Sequence, residues 1–128
     1  MYVIDTHAWL WFLTSDERLG SKAKQIFEET EEGEETLVLP SIVVAESVYI
    51  IDKKGYSIVL RDIIEDIEIS SNYIIRPMDI SVLKSLSRDD RDLSIHDKII
   101  VITAENENIG IISRDEAIKK KAKVHVIW

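Results

Sequence analysis

The sequence predicts an α/β domain in which a parallel sheet of about five strands is flanked by helices on both faces. Three observations predict it. Short apolar runs alternate with segments of helical period, the pattern of strand–helix–strand units. The chain has 128 residues and no linker, internal repeat or extended low-complexity tract, so residues 1–128 form one domain. Hydrophobic residues make up 45% and charged residues 31%, the balance of a soluble globular protein with a sizeable core.

Strands are expected at residues 2–5, 37–39, 73–76, 110–112 and 124–127. Helices are expected at residues 6–13 and 21–30, and again at 41–54, where Gly55 supplies a common stop. In residues 57–70, Leu60, Ile63, Ile64 and Ile67 make one apolar face, with Arg61, Asp62 and Glu65 between them. Residues 80–87, 94–106 and 116–121 complete the helices. Residues 99–103 are β-branched and read as strand by propensity. Two features favour helix there: Ser94-Ile95-His96-Asp97 has capping-box spacing, and the stretch up to Gly110 is long for a strand. Such a helix is apolar nearly all round and therefore buried.

Four acids stand where structure alone gives little reason for them. Asp5 follows Tyr2-Val3-Ile4, and Asp115 follows the strand at 110–112 and opens a helix. Both therefore sit at strand carboxyl ends, where sites form in open parallel sheets. Glu46 shares a helical stripe with Ile42, Ala45, Tyr49 and Ile50, which predicts that it looks inward. Asp97 lies in the first turn of its helix, above Ile100, Val101 and Ala104. Buried carboxylates need partners. Two unit charges about 5 Å apart repel by roughly 3 kcal/mol at an effective dielectric near 20. A hard divalent ion with oxygen ligands is the simplest remedy. Singly, the acids have structural readings: Asp5 and Asp115 as helix N-caps, Asp97 as part of a capping box. Glu46, in mid-helix, has no capping role.

These segments resemble the PIN-domain ribonucleases, in particular VapC-like toxins. The resemblance rests on Val3-Ile4-Asp5-Thr6-His7-Ala8-Trp9-Leu10-Trp11, on Glu46-Ser47-Val48, on residues 96–104, on Ile111-Ile112-Ser113-Arg114-Asp115, and on residues 124–128. It covers essentially the whole chain. It implies a PIN-like domain whose metal-binding acids are Asp5, Glu46, Asp97 and Asp115, with Thr6 and Ser113 nearby. It implies Mg²⁺- or Mn²⁺-dependent hydrolysis of RNA phosphodiester bonds, with Asp5 and Asp97 as first ligands. A homodimer and an antitoxin partner are also implied. The chain departs from the family in having Ser94-Ile95 where many relatives have Asp-Pro, Lys98 where they have Arg, and Ala45 where they have Trp.

Composition narrows the remaining classes. No cysteine is present, which excludes disulfides, thiolate zinc sites and a cysteine nucleophile. The net charge of −8 argues against a nonspecific nucleic-acid coat but not against a nuclease. Much of it comes from residues 28–35, read as a solvated helix end and turn. No apolar run approaches the roughly 18 residues of a membrane span, and no export signal is evident, so a cytoplasmic location is expected. By position, Lys98 and Arg114 are candidate phosphate contacts. His7 and His96 are read as packing or capping groups, and Lys119-Lys120-Lys121 as a solvated face. Residues 9–13 are five large apolar residues in a row on one helix. One face cannot hide them, so part of that helix is expected against a partner chain. Three alternatives stay open: a PIN nuclease that is not a toxin, a PIN-like RNA-binding module without catalysis, and a Mg²⁺-binding response-regulator receiver. The receiver would need a second acid beside Asp5 and an acid after the strand at 37–39, and neither is present.

Overall fold

The computed structural model describes all residues, Met1–Trp128. Five parallel strands run in the order β3-β2-β1-β4-β5, where β1 is Tyr2–Ile4, β2 Leu37–Pro40, β3 Tyr73–Arg76, β4 Gly110–Ile112 and β5 Val126–Ile127. The seven helices are α1 (Thr6–Leu13), α2 (Ser21–Glu31), α3 (Ser41–Lys54), α4 (Leu60–Ile69), α5 (Ile80–Leu86), α6 (Ile95–Glu107) and α7 (Glu116–Lys121). Each expected strand and helix is present. The differences lie at ends: α4 starts at Leu60 without a side-chain cap, and β5 is only two residues long.

β1 is central and pairs with both β2 and β4: Val3 lies opposite Val38 on one side and Ile111 on the other. Leu37, Val38 and Leu39 are all fully buried. Successive strand residues point to opposite faces, so helices cover both faces of the sheet. The chain lays β1, β2 and β3 to one side and then adds β4 and β5 on the other, which puts the topological switch point between β1 and β4. Crevices for ligands open there, outside the carboxyl ends of the strands. A receiver has strand order 2-1-3-4-5; the order seen here removes that alternative.

α6 is a helix despite its β-branched run. Ser94 caps it, its hydroxyl accepting from the Asp97 N–H at 3.2 Å. Every residue from Ile99 to Ala104 is buried, because α6 packs on β1, β2 and β4 and meets α3 and α5 as well. Burial on all sides outweighs the modest helix penalty of Ile, Val and Thr.

Two expectations need correction. The inward face of α3 is Val43, Ser47 and Ile51; Ala45 and Tyr49 are exposed. Glu46 follows Val43 by three residues and so edges that face, half-buried. The apolar run of α1 is mostly satisfied within the chain: Trp9, Leu10 and Trp11 are buried, at 1%, 3% and 9% exposure. α2 and α3 flank α1, Phe12 stacks on Phe27 at 4.2 Å, and Trp128 meets Trp11 edge-on at 5.6 Å. Only Phe12 and Leu13 stay half-buried, so the two tryptophans give no ground for a second chain.

Candidate active site

Asp5, Glu46, Asp97 and Asp115 line one cleft of about 230 Å³ at the carboxyl ends of β1 and β4, together with Thr6, His7, Ser94, His96 and Ile100. Four segments distant in sequence deliver the four acids. Asp5 ends the central strand, where its N–H continues the ladder to the Ile112 carbonyl at 3.1 Å. Its Oδ1 then accepts from the Ala8 N–H at 2.7 Å and caps α1. Asp115 caps α7 in the same way, its Oδ1 accepting from Ala117 and Ile118 at 2.7 and 2.9 Å. The capping readings are therefore correct for both acids, yet each cap uses Oδ1 alone. Glu46 reaches the cleft from the edge of α3, with His96 Nε2 3.6 Å from its Oε2.

The electrostatics match carboxylates gathered without enough counter-charge. Burial pushes the Asp5 carboxyl above the ordinary carboxylate range. The Ser113 hydroxyl, the Ala8 N–H and the charge of His7 oppose that push, and the charge of Asp97 adds to it. Asp97 is also raised, chiefly by burial and further by the charge of Asp115, against the Ser94 hydroxyl and the charges of His96 and His7. No lysine or arginine lines the cleft.

The other sequence candidates separate. Thr6 is buried on the cleft wall. Ser113 is fully buried behind it, its hydroxyl accepting from the Asp115 N–H at 3.0 Å. Arg114 is exposed, with its guanidinium 5.9 Å from the Trp11 ring and no carboxylate partner. Lys98 is not on the cleft wall: its Nζ donates to the Asp89 carbonyl at 3.0 Å. His7 and His96, read as packing or capping groups, both face the cleft. The signal for them was available, since His96 is the immediate neighbour of Asp97 and His7 stands two residues after Asp5.

The oxygen donors suit a hard cation: those of four acids and two hydroxyls, with two imidazoles on the same lining. As placed, no three of these side chains form a ligating group around one point.

A profile of the PIN domain family matches residues 2–124. The chain belongs to the PIN domain family, a family of nucleases. No curated protein matches the chain. Among solved structures, it is similar to FitAcB from Neisseria gonorrhoeae at 17% identity and a TM-score of 0.69, covering 100% of this chain and 97% of that one. It is similar to a toxin–antitoxin complex from Klebsiella pneumoniae at 17% identity and a TM-score of 0.67, covering 100% and 97%. VapBC2 from Rickettsia felis, bound to a DNA fragment from its promoter, matches at 16% identity and a TM-score of 0.69, covering 99% and 98%. At these identities the likeness is one of fold. No helix of this PIN domain is long and apolar enough to cross a membrane.

Proposed function

We propose that this PIN domain is a Mg²⁺- or Mn²⁺-dependent endoribonuclease and the toxin of a toxin–antitoxin pair. One observation carries the proposal: four carboxylates from four separate segments line a single cleft that contains no lysine or arginine. Asp5 and Asp97 would hold the ion, with Asp115 and Glu46 binding directly or through water. When bound, the ion supplies charge neutralisation and Lewis-acid polarisation of the phosphate. The chain's own groups do the positioning. The caps on Ala8 and on Ala117 and Ile118 fix one oxygen of Asp5 and one of Asp115, which sets the rotamers that leave the second oxygen available. The Thr6 hydroxyl and Arg114 are the groups offered to the RNA backbone. Ser113 acts behind the wall, on the backbone N–H of Asp115, and Lys98 holds the Asp89 carbonyl in the loop that leads into α6. Hydrolysis breaks a P–O bond with water as nucleophile, and the leaving oxygen takes up a proton.

The partner reading draws on the neighbours, which include toxin–antitoxin complexes. A separate apolar groove of about 400 Å³, walled by Phe12, Leu13, Ile63, Ile67 and Tyr73, is the surface this reading gives to an antitoxin. The homodimer belongs to the same proposal. Cleavage of an RNA panel with Mg²⁺, with Mn²⁺ and with excess chelator tests the function: activity in both metals and none in chelator is expected. Undiminished cleavage in chelator contradicts it.

A further inference from the structure

Outside the cleft, the loop between α5 and α6 holds a nearly enclosed ionic network. Arg91 is at its centre, with its side chain 18% exposed; those of Asp89 and Glu105 are 5% and 19% exposed. Arg91 Nε donates to Asp89 at 3.0 Å, and Nη2 also bonds Asp89. Nη1 donates to Glu105 Oε1 at 2.7 Å and to the Lys121 carbonyl at 3.2 Å, and Nη2 reaches Glu105 Oε2 at 3.2 Å. The network spreads from there. Glu105 Oε1 also accepts from the Lys123 N–H at 2.8 Å, and Lys98 Nζ donates to the Asp89 carbonyl.

The connections decide what the network does. Glu105 is near the carboxyl end of α6, and Lys121 is the last residue of α7. Asp97 and Asp115 sit at the opposite, amino ends of those two helices. α6 and α7 pack little against each other directly. Asp97 and Asp115 line the same cleft. Each helix is anchored to the rest of the fold, but direct packing between the two is slight, so the network is the contact that joins their carboxyl ends. A planar guanidinium with five donors can bond two carboxylates and a carbonyl at once, which an ammonium cannot match in geometry.

We propose that Arg91 is a positioning residue: through Asp89, Glu105 and the Lys121 carbonyl it straps the carboxyl ends of α6 and α7 together and thereby fixes the separation of Asp97 and Asp115 at the cleft. The proposal rests on the metal-dependent reading of the cleft. It also accounts for Lys98, which serves the strap rather than the substrate.

The test is Mn²⁺ binding by titration, using the whole chain and Mn²⁺ alone as probe. Arg91→Ala is expected to weaken Mn²⁺ affinity by roughly tenfold, the lower end of what outer-shell substitutions cost, and Arg91→Lys by less. Glu105→Ala keeps Arg91 paired with Asp89 but cuts α6 out of the strap, so it tests the same idea if Arg91→Ala fails to fold. In RNA cleavage, kcat should fall in both variants with KM unchanged, and excess Mn²⁺ should restore it, which loss of fold would not allow. A folded Arg91 or Glu105 variant with wild-type Mn²⁺ affinity overturns the proposal. A wild-type chain that binds no Mn²⁺ overturns the metal reading itself, and the strap's role with it, and is a distinct result.

Discussion

Replacing Asp5 separates its two duties, because two substitutions remove different things. Asp5 is 7% exposed, and its Oδ1 caps α1 through the Ala8 N–H at 2.7 Å. Asp5→Asn keeps a carbonyl oxygen able to accept that bond but loses the charge. Asp5→Ala loses both. Loss of an N-cap costs about 1 kcal/mol, within a range of roughly 0.5–2. For a domain of this size that is about 3–5 °C in melting temperature. Asp5→Asn in the metal-free protein is therefore expected to melt at or above wild type at neutral pH, since a buried carboxylate has been neutralised. Asp5→Ala should melt about 3–5 °C below Asp5→Asn. Both should lose RNA cleavage. The assays are thermal unfolding in chelator and cleavage of RNA in Mn²⁺. If Asp5→Asn cleaves like wild type while folded, the charge has no functional role. If Asp5→Ala is as stable as Asp5→Asn, the cap does not matter.

Asp97→Asn should likewise abolish cleavage with the fold intact by circular dichroism. Asp5 and Asp97 have raised carboxyl pKa values, so between the ordinary value of 3.8 and their folded values the native state binds more protons than the unfolded one. Metal-free stability should therefore fall as pH rises through that window, read by urea unfolding; stability rising there would contradict the burial argument. Asp89 has the opposite sign: Arg91 holds it down at about 2, so the stability it adds is present above 3.8 and is lost as pH falls towards about 2. Saturating Mn²⁺ should raise the melting temperature, with about 2.7 kcal/mol of stabilisation at a hundred times Kd, and this gain should vanish in Asp97→Asn. Leu13→Ala, at the half-buried end of α1, should leave cleavage intact and weaken capture of the antitoxin, measured with the cognate protein.

The strands and helices were legible because local and global signals agree: caps at Asp5, Ser94 and Asp115, a stop at Gly55, and apolar runs of the right length. The four acids were legible as a set because each interrupts or closes an apolar run. What failed needed the tertiary neighbour. The stripe of Ile42, Ala45, Tyr49 and Ile50 looked internal as a whole; Ile42 and Ile50 do pack against the core, but Ala45 and Tyr49 are exposed, because the side of α3 that is buried deepest is Val43, Ser47 and Ile51. Trp9 and Trp11 looked surplus because their cover comes from α2, α3 and Trp128, none of which a helical wheel of α1 contains. Lys98 looked like a phosphate contact by its place beside Asp97, while its long stem carries the ammonium to Asp89. Arg91 gave no signal of a wider network, since only Asp89 is its neighbour in sequence and its other two partners, Glu105 and the Lys121 carbonyl, lie in separate segments of the chain.

Anomalous scattering from Mn²⁺ soaked into crystals of the wild-type chain tests the central claim most directly. A peak is expected in the cleft, bound to oxygen of Asp5 and Asp97 and adjacent to Asp115 and Glu46, with no such peak in Asp97→Asn. A Mn²⁺ site away from these four acids, or an empty cleft at saturating Mn²⁺, would contradict it.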